Sequence, residues 1–162
     1  MTADDPQRWF STLGEPLGEA ERADIDAYLA GLGIGPSLPT LLVESWSQAG
    51  SLTRSPAGSW WDIEEAERTR LEKLANLDPS DPEWLTTTDA LHGAAALAAV
   101  RAGVADPGLV RAAAGAAAYA TYQFRLTRAA KASPDHPFMR KYALFCGGRW
   151  PLGVYGERFA IF

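Results

Sequence analysis

The stretch EWLTTTDALHGAAALAAVRAGVADPGLVRAAAGAAAYATYQFRLTRAAK, residues 83–131, decides the architecture expected of this chain. Ser80 and Asp81 can cap a helix, and Pro82 suits its first turn, where an amide goes unpaired anyway. Trp84, Leu85, Thr88, Leu91, His92, Ala95 and Ala99 then recur at helical spacing, and Leu97, Val100 and Val104 add a second apolar face. Asp106-Pro107 repeats the cap-plus-proline signal after a short break at Val104–Gly108. Beyond it, Val110, Ala113, Ala117, Ala120 and Phe124 form one stripe; Leu109, Ala112, Ala116, Tyr119, Gln123 and Leu126 form another. A helix that is apolar on both sides belongs in the middle of a bundle. Alanine is the best helix former and nearly the smallest side chain, so two such helices can approach closely. The short link makes them antiparallel neighbours. A membrane hairpin is excluded, because Arg101, Asp106 and Arg111 interrupt the apolar run before it reaches a spanning length.

Working outward, residues 4–13 read as a short helix stopped by Gly14 and docked by Trp9, Phe10 and Leu13. Residues 18–31 read as a second helix, with acids near its start to suit the helix dipole. The glycines at 31, 33 and 35 end it as turn chemistry, since no phosphate-loop motif accompanies them. Residues 37–49 read as a third helix with Leu38, Leu41, Leu42, Ser45, Trp46 and Ala49 on one side, and Gly50 to Gly58 as loop. A fourth helix, Trp60 to Leu77, is expected to bury Ile63, Ala66, Leu71, Leu74 and Leu77 and to turn Glu64, Glu65, Glu67, Arg68, Arg70, Glu72 and Lys73 to solvent. Pro137 opens a last helix, Phe138 to Phe145 or Cys146, ended by Gly147-Gly148. In 149–162, two β-prone runs, Leu152–Tyr155 and Arg158–Ile161, flank Gly156-Glu157 and read as a hairpin. A lone hairpin is marginal in water, so it must lie against the bundle through Trp150, Phe159, Ile161 and Phe162. The expected fold is thus all-α: one domain over residues 1–162, about six or seven helices around the pair at 83–131, with a short C-terminal hairpin.

Composition narrows the class. Hydrophobic content of 47% and charged content of 22% are ordinary for a globular protein. Cys146 is the single cysteine, so no internal disulfide can form, and with an acidic start lacking a signal pattern the expected location is the cytoplasm. Arginine far outnumbers lysine, and with abundant Ala, Gly and Pro this fits a GC-rich bacterial genome. The net charge of −5 is polarised: residues 1–83 carry −10 and residues 84–162 carry +5. Either the two halves attract each other within the fold, or two faces of opposite sign meet a charged partner. A pI near 5 argues against nucleic acid.

No catalytic motif is complete. His92 sits mid-helix among alanines, and Asp89 one turn earlier is spaced to form a carboxylate–imidazole dyad with it. Tyr119 and Tyr122 can bring hydroxyls from the facing helix. Arg125 and Arg128 step along that helix, and with Arg140 and Arg149 they are candidates for an anion site. A metal site is not expected: Asp89-x-x-His92 occurs once, the other histidine lies in a turn, and there is one cysteine. No cofactor is indicated. Two readings follow. The first is a small bacterial binding protein that acts by protein–protein contact, as an immunity- or antitoxin-type inhibitor does. The second is a small helical enzyme or ligand-binding protein of specialised metabolism, with a small molecule held beside the alanine-rich helices.

Overall fold

A computed structural model describes residues 8–35, 38–55, 58–78 and 80–162. It is mostly helical, and a small sheet joins the helices. In chain order the elements are α1 (Glu19–Gly31), β1 (Thr40–Leu42), α2 (Trp46–Thr53), α3 (Ser59–Ala75), α4 (Pro82–Arg101), α5 (Pro107–Ala129), α6 (Pro137–Cys146), β2 (Pro151–Tyr155) and β3 (Arg158–Ile161).

The long pair forms where its caps place it. Asp81 accepts the amide of Glu83 at 2.8 Å to open α4, and Asp106 accepts that of Leu109 at 2.7 Å to open α5. Ala95, Ala98 and Ala99 of α4 are buried with Ala113, Ala114, Ala117, Ala118 and Ala120 of α5. The larger side chains that fill the rest come from the aromatics. Phe10, Trp46, Phe145, Trp150 and Phe162 cluster at the base of the pair, with Trp46 and Phe162 rings 4.9 Å apart edge to face. A second core lies under α1, α3 and α6, where Ile25, Tyr28, Leu29, Leu71, Leu126, Phe138 and Phe159 meet.

Three expectations need correction. Of the helix expected over 37–49, residues 38–45 are not helical, and residue 37 lies outside the described residues. Thr40–Leu42 is a strand, and it pairs in parallel with β3 (Thr40 with Phe159, Leu41 with Ala160, Leu42 with Ile161). The sheet order is β1-β3-β2, so the expected hairpin is present but gains a third strand and the fold is not purely α. The helix begins only at Trp46. Ser45 Oγ accepts the Gln48 amide at 3.2 Å, and Gln48 Oε1 accepts the Glu44 amide at 3.1 Å, a close relative of the capping box. This helix runs on to Thr53, into what reads as loop. Near the start, residues 8–14 form turns with Trp9 and Phe10 buried; the remainder of the expected 4–13 helix lies outside the described residues. Third, α3 is rotated from its expected setting. Trp60, Glu64 and Leu71 face inward, while Leu74 is 60% exposed.

Glu64 turns inward because partners wait for it. Its two oxygens take Lys141 Nζ at 2.8 Å each, and Oε1 accepts the Tyr28 hydroxyl at 2.6 Å. Lys141 also donates to Gln123 Oε1 at 3.1 Å, and Trp60 Nε1 donates to the Tyr28 hydroxyl at 2.9 Å. Burial, with the Glu64 charge beside it, holds the Tyr28 hydroxyl well above the usual phenol range, so it stays a proton donor. The group ties α1, α3, α5 and α6 together.

Candidate functional site

Helix α5 is flanked by α3 on one side and α4 on the other, and between them lies an open cleft of about 530 Å³. Its floor is α5, with Gly115, Ala118, Tyr119 and Tyr122. One wall is Trp61, Glu65, Arg68 and Glu72 of α3; the other is Trp84, Leu85, Thr88 and His92 of α4. The α3 residues lie four, three and four apart, which keeps them on one side of a helix. The small residues of α5 leave the space, and the aromatics line it. Trp61 lies 5.5 Å from Tyr119 at 30°, Tyr119 stacks 6.4 Å from Tyr122, and Trp84 meets Tyr122 edge-on at 5.5 Å. Trp61 is 45% exposed and Leu85 52%, unusual for side chains of this size.

Five polar side chains of the α3 wall and the α5 floor bond one another. Arg68 bridges two carboxylates, with Nη2 2.9 Å from Glu65 and Nη1 bonded to Glu72. The Tyr119 hydroxyl donates to Glu65 and the Tyr122 hydroxyl to Glu72. Burial would raise Glu65, but the hydrogen bonds from Arg68 and Tyr119 win and hold it below the usual glutamate range. The Glu65 bond is the chief reason that Arg68 keeps its proton more firmly than a free guanidinium. Burial first, and then the carboxylates they bond, push both tyrosines far above the usual phenol range. Tyr119 and Tyr122 are therefore neutral donors already committed to partners, and poor proton acceptors.

The expected site residues fall as follows. His92, Tyr119 and Tyr122 line the cleft together. Asp89 is exposed on α4 and is not part of the lining, and no hydrogen bond or ion pair joins it to His92. Arg125 and Arg128 line a neighbouring hollow of about 430 Å³ that shares Trp84 with the cleft and also contains Glu83. Arg140 is engaged elsewhere, by Asp24 at 3.2 Å and Asp135 at 2.6 Å. Arg149 is buried, donating to Glu21 at 2.6 Å and to the carbonyls of Thr12, Glu15 and Pro16. The four arginines thus do not gather at one place.

Sequence reasoning missed the α3 wall, because a row of charges on a helix reads by default as a solvated face. The signal was there in Trp61, whose spacing to Glu65, Arg68 and Glu72 aligns an exposed aromatic with them. Lys141, a base that sequence alone groups with Arg140 and Arg149, lies instead behind the cleft. Its ammonium lies 5.5 Å from the ring centroids of both Trp60 and Tyr119, and so backs the cleft floor from below. Among the described residues no group of His, Cys, Asp or Glu is arranged to hold a metal ion, and no helix is long and apolar enough to cross a membrane. Comparison with protein-family models, curated proteins and solved structures finds no match.

Proposed function

We propose that this chain is a small binding protein that acts by protein–protein contact, with the α3–α5–α4 cleft as its docking surface. The observation that carries the reading is the pairing of exposed apolar side chains, Trp61 and Leu85, with a wall whose Glu65, Arg68, Glu72, Tyr119 and Tyr122 already bond one another. A catalytic site keeps an acid, base or nucleophile free for substrate. Here the tyrosines and carboxylates are spent on holding the wall in shape, which is what a preformed recognition surface needs. Tryptophan, tyrosine and arginine are also the residues that dominate contact energies. Two carboxylates share one guanidinium, so the wall keeps a negative excess, and the segment it suits is an apolar stretch of a partner bearing a basic side chain. An immunity- or antitoxin-type inhibitor, bacterial and cytoplasmic, is the form this activity takes.

The test is capture at the cleft. A photo-crosslinking residue at position 61 is expected to trap a protein in host cells, and the same group at Arg22, exposed on α1, is not. With the trapped protein purified, Trp61→Ala and Leu85→Asp should each weaken binding by about tenfold or more without lowering the melting temperature. Affinity should also fall as salt rises. Capture of no protein at position 61, or an affinity indifferent to both substitutions, overturns the reading.

A second reading rests on the aromatic row and His92. A cleft of about 530 Å³ is within the range that holds a small molecule, and a metabolite stacked on Tyr119 and Tyr122 beside the imidazole would make this a ligand-binding protein or an enzyme. His92→Gln distinguishes the two. It should abolish turnover or ligand retention on this reading and leave partner binding nearly unchanged on the first.

A further inference from the structure

Helix α4 carries a second surface, turned away from α5 and from the cleft. Thr86, Ala90, Gly93, Leu97 and Val100 follow one another along it, all exposed, with Leu97 at 50% and Val100 at 52%. Among the described residues nothing packs on it, and a Cβ built on Gly93 would meet no atom within 4 Å. An isolated exposed leucine needs no explanation, but an apolar stripe along half of a helix does.

We propose that this face is the contact between two copies of the chain, joined by antiparallel packing of α4 on α4 about a two-fold axis at the level of Gly93. The charges choose this occupant. Glu83 and Arg101 stand 18 residues apart, which is five full turns of an α-helix, so they lie on the same flank at opposite ends. Both are exposed, and neither side chain has an ion-pair partner among the described residues. In an antiparallel two-fold pair each Glu83 comes beside Arg101 of the other copy, and both pairs form at once; a parallel two-fold pair would carry these flanks to opposite sides of the contact and form neither. The side chains agree with the same register. Gly93 faces Gly93 at the axis, where the backbones come closest. Leu97 lies over Ala90 and Thr86 of the second copy, large against small, on both sides of the axis. A two-fold contact must be self-complementary in this way. A single helix pair is a small interface, so the dimer is expected to exchange in the micromolar range. The proposal does not depend on the cleft.

Sedimentation equilibrium on the whole chain, from low micromolar to several hundred micromolar, reads the association directly. The wild type should pass from monomer to dimer and dissociate more readily at high salt. Gly93→Leu should be monomeric throughout, with a melting temperature no lower than that of the wild-type monomer, because the new side chain meets nothing within one chain and suits a helix better than glycine. Glu83→Arg and Arg101→Glu should each weaken the dimer by about tenfold, and the two together should restore it. A wild type that stays monomeric at the highest concentration overturns the proposal, as does a dimer that survives Gly93→Leu or a double charge reversal no better than the singles.

Discussion

Lys141→Met leaves the Glu64 carboxylate wholly buried, with the Tyr28 hydroxyl as its remaining donor. Breaking one side of a buried pair in this way costs about 3–5 kcal/mol. Glu64→Leu combined with Lys141→Met should recover much of that loss, since two apolar side chains of similar volume replace two desolvated charges. Urea denaturation of the single and double variants measures both numbers, and equal losses in the two would show that the pair itself is not the source. Gly153 is the other sharply constrained position. Its φ of +125° already favours glycine, and a Cβ there would stand 2.8 Å from Trp60 Cζ3. Gly153→Ala should lower stability by about 1–3 kcal/mol, read as a drop in melting temperature. Neither constraint is legible in the sequence. A glutamate among six other charges gives no sign that a lysine 77 residues later will bury it. Tyr119 and Tyr122 were legible as neighbours because helical spacing is a local property, and His92 joins them because the short link sets α4 antiparallel to α5. Asp89 was not separable from them: three residues advance a helix by 300°, close enough to suggest one face and far enough to leave Asp89 in solvent.

At the scale of elements, the caps of the long pair were reliable signals and the leucine stripe at 38–42 was not. The boundaries of α4 and α5 follow from Asp-Pro caps that act within one turn. Alanine-rich packing between the two follows from the stripes, and it makes a specific expectation. Ala117 is 1% exposed, so Ala117→Leu must force α5 away from its neighbours. The loss should be about 1–3 kcal/mol by chemical denaturation, whereas Ala90→Leu on the outer face of α4 should cost the monomer nothing. An equal loss at both positions would mean that α4 and α5 do not pack closely. Strand β1 shows the opposite case. Leu38, Leu41 and Leu42 imitate a helical stripe, and what makes 40–42 a strand is a hydrogen-bonding edge supplied by residues 158–161. Ser45-x-x-Gln48 was the local clue that the helix starts later.

Over the whole molecule, the charge polarity of the sequence is spent in part on internal pairs. Glu21 meets Arg149, Asp24 meets Arg140, Glu64 meets Lys141 and Glu67 meets the His136 ring, each an acid of the first half with a base of the second. The His136 ring is oriented by its own helix. Its Nδ1 accepts the Phe138 amide at 3.2 Å, which leaves the proton on Nε2, 2.7 Å from Glu67. The acid limb of the stability curve follows from the carboxylates. Glu67 is held below the usual range first by the Arg70 hydrogen bond, with His136 adding to it. For Glu21 burial pulls upward, but the bonds from Arg149 and the Gly18 amide prevail. With folded values depressed, the unfolded chain binds protons first as pH falls. The stabilisation is therefore complete above the usual glutamate range and drains away below it. Urea midpoints between pH 7 and pH 3 should be flat at first and then fall. A midpoint unchanged to pH 3 would mean that these pairs contribute nothing.

The position of β3 between β1 and β2 has a consequence in time. A ribosome makes Leu41 long before its neighbour Ala160, and at about 5–20 residues per second the delay across roughly 120 residues is several to some twenty-five seconds. For that interval the strand that will close the sheet does not yet exist. The helices of the long pair, whose contacts are local, can form and dock while they wait. Leu41 and Leu42 then stand as an unclaimed edge on a half-built protein, open to chaperones and to neighbouring nascent chains alike.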